Sequence, residues 1–145
     1  MRKLWDWLRR CIGRKQGTPP EDARQALGRD GERVAERYLR GAGMRVVARR
    51  FRTPVGELDL VMRDGSELVF VEVKTQRSAS FAPPQDRVGR DKQRRVVQAA
   101  RWFVRQRGLE ALPMRFDVVA VVWPEGGPPQ VRHLPDAFPA ETGSG

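Results

Sequence analysis

Cysteine and histidine are almost absent: the 145 residues hold one of each, Cys11 and His133. A single cysteine cannot close an internal disulfide, which fits a reducing cytoplasm. The two together fall short of the ligand set of a structural zinc site, so any metal is expected on oxygen. His133, alone near the end of the chain, reads as structural rather than catalytic. Long apolar runs are missing too, since no stretch approaches the roughly 20 residues of a transmembrane helix. Lysine is scarce. Four of the 28 basic residues are lysine, a bias that GC-rich codon usage alone produces. The net charge of +10 suggests a polyanionic partner, most simply nucleic acid, but its local placement is the better guide.

Hydrophobic residues make up 39% of the chain and charged residues 32%, the balance of one globular domain able to bury a core. Half of the net charge comes from residues 1–15, where Arg2, Lys3, Arg9, Arg10, Arg14 and Lys15 stand against Asp6. Leu4, Trp5, Leu8 and Ile12 recur there at helical spacing, too short and interrupted for a secretory signal. Residues 1–20 read as a basic amphipathic extension and linker, lying on its own domain or touching a protein, DNA or a membrane surface. The domain proper is expected over 21–138, with a disordered tail over 139–145.

The organising stretch runs from Gly56 to Thr75. Two apolar runs flank Asp64-Gly65, a strong hairpin signal. With that pair at the tip, Met62 faces Glu67, Leu60 faces Val69, Asp59 faces Phe70 and Glu57 faces Glu72. Alternation puts Leu58, Leu60, Met62, Val69, Val71 and Val73 on one face, and Glu57, Asp59, Val61, Leu68, Phe70, Glu72 and Lys74 on the other. Asp59 and Glu72 become diagonal neighbours with Cα atoms roughly 7–8 Å apart. Such a pair suits one Mg²⁺, or Mn²⁺ in its place, held by bonds of about 2.0–2.1 Å. Lys74 adds an ammonium at the same spot. Two carboxylates and a lysine suit phosphodiester hydrolysis: a metal lowers the pKa of a bound water and a cation steadies the developing charge. The plain alternative is an exposed Glu72–Lys74 ion pair, worth little. The apolar run Val69 to Val73 argues instead for an interior strand, where unpaired charge is costly.

Asp59 followed by Glu72-Val73-Lys74 resembles the PD-(D/E)XK nuclease motif of restriction endonucleases and Holliday-junction resolvases. More closely, the chain resembles the YraN family of uncharacterised bacterial proteins. The residues that carry the likeness are Gly28 to Glu32, Ala35, Tyr38-Leu39, Arg52-Thr53, Gly56 to Leu60, Phe70 to Thr75, Lys92-Gln93, Arg115 to Val118 and Ala137-Phe138. Leu58 replaces the proline of the PD pair and leaves the ligands themselves in place. The resemblance implies a restriction-endonuclease-like, resolvase-like α/β fold, a mixed sheet of about five strands flanked by helices. It also implies that a glutamate of the first helix reaches the metal site, and Glu32 matches it; the alternative is a surface pair with Arg29 or Arg33. Resolvases work as symmetric pairs, so a homodimer is a reasonable expectation.

Around this core, residues 21–40 predict a helix with a stripe of Leu27, Gly31, Val34, Ala35, Tyr38, Leu39 and Ala42. A strand over 44–52 follows, whose Arg45, Arg49, Arg50 and Arg52 either position a phosphate backbone or form a charged strand face. Thr75 and Gln76 can hydrogen-bond a phosphate, and residues 75–84 read as a loop above the site, anchored by Phe81. Residues 87–107 predict a second helix. Its nearly single-signed surface, Arg95 included, points to nucleic acid, with Lys92 and Gln93 nearest the substrate. Strands at 114–123 and 131–134 close the domain, and Asp117 is expected to pair with Arg115 as support. The reading is a Mg²⁺-dependent, cytoplasmic DNA nuclease for branched or structured DNA. Its rival is a nucleic-acid-binding module or adaptor that does not cut.

Overall fold

A computed structural model describes residues 21–77 and 89–140. The expectations for residues 1–20, for Phe81 and the expected loop from residue 78 on, for the start of the second helix and for residues 141–145 lie outside the described residues; Thr75 to Arg77, expected in that loop, instead continue the third strand. The element order is helix α1 (Glu21–Gly41), strands β1 (Arg45–Thr53), β2 (Gly56–Asp64) and β3 (Glu67–Arg77), helix α2 (Arg90–Arg107), and strands β4 (Met114–Trp123) and β5 (Gln130–Phe138). The five strands lie in the order β1-β2-β3-β4-β5. All neighbours are antiparallel except β3 and β4, which run parallel across the α2 crossover. This is the mixed α/β sheet with flanking helices that the sequence implied, in the resolvase-like arrangement.

Each face of the sheet is covered by one helix. On one side Ala35 and Leu39 of α1 pack on Leu60, Met62, Val69, Val71, Val119 and Val121. On the other, Val97, Ala100 and Phe103 of α2 pack on Val61, Leu68, Phe70, Phe116, Val118 and Ala120. Val61, Leu68 and Phe70 are therefore core as fully as the face assigned that role from alternation. Two buried faces explain why β3 and β4 read as near-continuous apolar runs. The first helix departs from its predicted stripe at Ala42, which is exposed beyond the helix end, and at Tyr38, which is 46% exposed and meets the His133 ring edge-on at 6.2 Å.

Two corrections concern the strands. The β2–β3 turn is Gly65-Ser66, with Asp64 paired to Glu67 and Leu60 to Val71, and the expected pairing is two residues out of step. Gly65, at φ 60°, takes the first central position, where a type II′ turn needs glycine. A shift of two keeps side-chain parity, but Leu58, expected beside Leu60 and Met62, packs with Val61 and Phe70 on the α2 side, so the alternation of β2 breaks at Asp59. The last strand is also longer than expected and carries Pro135 inside it, which an edge strand tolerates. Its ladder with β4 is irregular between Phe116 and Val118, and Asp136 has φ 51°. The Asp136 N–H that the ladder leaves over donates to Asp117 Oδ1 at 2.9 Å. Among the described residues no helix is long and apolar enough to cross a membrane.

Candidate acidic site

The regular β2–β3 ladder ends at Leu60 and Val71, and Asp59 and Glu72 are the next residues along their strands, near enough that the Glu72 charge bears on Asp59. Beyond this point the strands part. The N–H of Val73 donates to Asp59 Oδ2 at 3.0 Å, so a side chain takes the place of a ladder carbonyl. On the other flank the β1–β2 ladder skips Arg50 and Asp59, and Arg50 has φ 44°, a conformation that costs a non-glycine residue strain. Asp59 thus sits where both ladders loosen.

Glu72 is buried, its side chain 4% exposed, and its Oε1 lies 2.5 Å from Lys92 Nζ. Its cation partner is Lys92 at the start of α2, in place of the Lys74 pairing considered from sequence. The β3–α2–β4 crossover explains the encounter: it sets the N-terminus of α2 beside the C-terminal half of β3, where Glu72 and Lys74 lie. Burial, then the Glu72 charge, push the Asp59 carboxyl up to about 7, against the Val73 N–H and Lys92, which draw it down. Burial, then neighbouring Lys92, lower the Lys74 ammonium from its usual range. The Lys92 ammonium is raised, because the Glu72 charge and hydrogen bond outweigh the effect of its burial.

The remaining predicted residues fall in different places. Glu32 accepts from Arg50 Nε at 2.7 Å, while its charge contributes to raising Asp59. It therefore borders the site with an arginine already on it. Thr75 packs under α1: a Cβ on Gly31 would fall 1.9 Å from Thr75 Oγ1. Only glycine admits this approach. Gln76 carries the one buried side-chain atom, Oε1, with no hydrogen-bond partner among the described residues. Gln93 donates its backbone N–H to Gly89 O at 3.1 Å. Arg95 is exposed, and Arg52 pairs with Glu57 at 3.4 Å in the open.

Asp117 is the second buried acid, and its surroundings are structural. Arg115 donates to it at 3.0 Å and also reaches Glu67 and Asp64, and His133 Nε2 lies 2.7 Å away. Burial would raise this carboxyl, but His133, Arg115 and the Asp136 N–H together hold it below the usual carboxylate range. The support role expected for Asp117 and the structural role of His133 follow from these contacts.

Asp59 and Glu72 are the residues that could hold a metal. Two neighbouring acids, Glu72 buried and Asp59 half-buried and held from easy ionisation by desolvation and then by Glu72, leave negative charge that a hard cation would relieve. Among the described residues no group of three or more potential ligands is gathered, so the donors considered there are this pair. Three contacts were missed from sequence: Arg50 on Glu32, Lys92 on Glu72, and Gly31 on Thr75. The Lys92-Gln93 motif carried a signal for the second. The first depends on an irregularity in β1 that no spacing announces.

The mixed five-stranded sheet with a helix on each face is a resolvase-like α/β arrangement. The profile of the uncharacterised protein family UPF0102 matches residues 31–121. A UPF0102 protein of Syntrophotalea carbinolica is 50% identical over 115 residues, 79% of this chain and 93% of the relative. Another from Desulfosudis oleivorans is 42% identical over 81% of this chain and 93% of its own length. One from Rhodococcus jostii is 45% identical over 78% and 96%. The chain belongs to the UPF0102 family, the YraN family of the sequence likeness.

Proposed function

We propose that this protein is a Mg²⁺-dependent endonuclease that hydrolyses phosphodiester bonds in DNA, with branched or structured DNA as substrate. The observation that carries the reading is the nearness of Asp59 and Glu72 just past the end of the β2–β3 ladder, with Lys74 and Lys92 beside them. Asp59 and Glu72 would hold the cation, Mn²⁺ serving in place of Mg²⁺, and Glu32 would assist after release from Arg50. A bound divalent ion supplies Lewis acidity and a more acidic water. Val73 fixes the Asp59 carboxylate through its N–H. Lys74, whose proton is loosened by burial and by Lys92, orients or activates the attacking water. Lys92, Gln93, Gln76, Thr75, Arg52 and Arg95 are the proposed nucleic-acid contacts, the first of them at the carboxylates themselves.

A second reading is favoured by one observation: Lys92 already neutralises Glu72, and Arg50 already neutralises Glu32. A site closed by its own cations suits a nucleic-acid-binding module that does not cut. Labelled duplex, single-stranded and four-way-junction DNA with Mg²⁺ or Mn²⁺ separates the two. Cutting lost in Asp59→Asn and in Lys74→Ala, with binding retained, supports the enzyme. Binding by every form with no cutting supports the module.

A further inference from the structure

We infer that the groove between α1 and β1 is a track for the phosphate backbone of nucleic acid, leading to Asp59. Three clefts adjoin there, of about 260, 360 and 490 Å³, and they share walls. The first, which Asp59 lines, shares Arg33 with the second and Arg49 with the third, and the second and third share Arg40. Together seven arginines line them against three acids, Glu32, Glu36 and Asp59. The two glutamates are already matched, Glu36 by Arg49 at 2.6 Å and Glu32 by Arg50 at 2.7 Å.

The unmatched charge lies further out. Among the described residues Arg37, Arg40 and Arg45 make no ion pair, and Arg33 has only Asp30 at 3.8 Å with both side chains largely exposed. Arg45 is moreover paired across the sheet with Arg63, a like-charge juxtaposition that costs stability. Arg40 in the last turn of α1 suits the helix dipole, but that does not account for Arg33, Arg37 or Arg45. From Arg29 to Arg40 the helix advances about 16 Å at 1.5 Å per residue. That is the axial length of about five phosphates of one strand, at about 3.4 Å each. Of the α2 arginines, Arg101 is bound to the Ala140 carbonyl and Arg107 stacks on Phe51 and Phe103.

The direction of the track rests on the proposed function, because it takes Asp59 as the reacting end; its charge does not. The test is fluorescence anisotropy of labelled oligonucleotides of increasing length, in EDTA, across a salt series. The combined variant Arg33→Gln, Arg37→Gln, Arg40→Gln is compared with Arg94→Gln, Arg101→Gln, Arg105→Gln on α2, none of them among the proposed contacts. We expect the groove variant to lose at least about tenfold in affinity and about 2 from its log–log salt slope for single strands. The α2 variant should stay within about twofold of wild type, and affinity should level off near five or six nucleotides. Equal loss in both variants, loss in the α2 variant alone, or wild type that binds acidic protein but no oligonucleotide would overturn the track. If the triple variant fails to fold, Arg37→Gln and Arg45→Gln alone must each weaken binding, or the proposal falls. Cutting is scored separately. Groove-dependent binding without cutting by any form sinks the nuclease and leaves the track. Asp59-dependent cutting with unchanged KM in the groove variant does the reverse.

Discussion

Asp59 is the residue at which function and stability oppose each other. Its carboxyl is pushed up to about 7 in the folded chain, first by burial and then by Glu72, against about 3.9 for an ordinary aspartate. Between those values the folded state holds the proton more tightly than the unfolded state, so stability falls as pH rises through this window and stays lower above it. Asp59→Asn retains an oxygen for the Val73 N–H and removes the charge. At pH 8 it should melt higher than wild type, by something on the order of 2–4 kcal/mol, with the difference shrinking toward pH 4. Thermal melts over that range check this; equal melting at pH 8 would mean the acid pair is not under strain. Gly31 supplies the second prediction at this scale. An alanine there would gain about 1 kcal/mol of helix propensity and lose more to Thr75, whose Oγ1 and Cβ would lie at 1.9 and 2.8 Å. Gly31→Ala should destabilise by about 1–3 kcal/mol, and adding Thr75→Ala should restore part of it, since the Thr75 Cβ still crowds. Denaturant unfolding gives both values.

Among the elements, the β4–β5 edge shows how a buried charge serves structure alone. Asp117 joins Arg115, His133 and the spare N–H of the β5 irregularity, and it holds that edge strand around Pro135. Its carboxyl lies below the usual range in the fold, so its contribution is present above about pH 3.9 and is lost as pH falls through the folded value. Asp117→Asn should cost about 3 kcal/mol at neutral pH, in line with loss of charged hydrogen bonds. The gap from wild type should close on acidification below pH 4, while nucleic-acid binding is unchanged. A variant that kept its stability and lost binding would place Asp117 in the functional site instead. The β2–β3 hairpin carries the opposite lesson. Alternation placed Asp59, Glu72 and Lys74 on one face, yet Leu58 and Leu60 fall in opposite cores, so the alternation breaks at Asp59, which lines a cleft beside α1 while Glu72 meets Lys92 of α2.

For the whole molecule, the proposed cation should act as a ligand of the folded state. Mg²⁺ at a hundredfold excess over its dissociation constant would add about 2.7 kcal/mol, so melting should rise with Mg²⁺ in wild type and not in Asp59→Asn or Glu72→Gln. The same experiment with Lys92→Ala reports how far the internal ion pair competes, and a larger Mg²⁺ shift is expected there. Absence of any shift in all four proteins would favour the binding module.

Much of this was legible in the linear chain. Apolar periodicity identified both helices, the run from Val69 to Val73 marked an interior strand, and the glutamate and lysine after it share parity, which backbone geometry imposes locally. Other features required the folded chain, for reasons of distance. Lys92 reaches Glu72 because a crossover helix returns over the sheet, and Arg50 reaches Glu32 because one strained residue in β1 turns it toward α1. Gly31 is needed because Thr75, 44 positions away, comes to lie beneath it. Local pattern determines which face a side chain takes along a regular strand; a break such as the one between Leu58 and Leu60, and the partner that waits on each face, are decided only when elements far apart in sequence pack together.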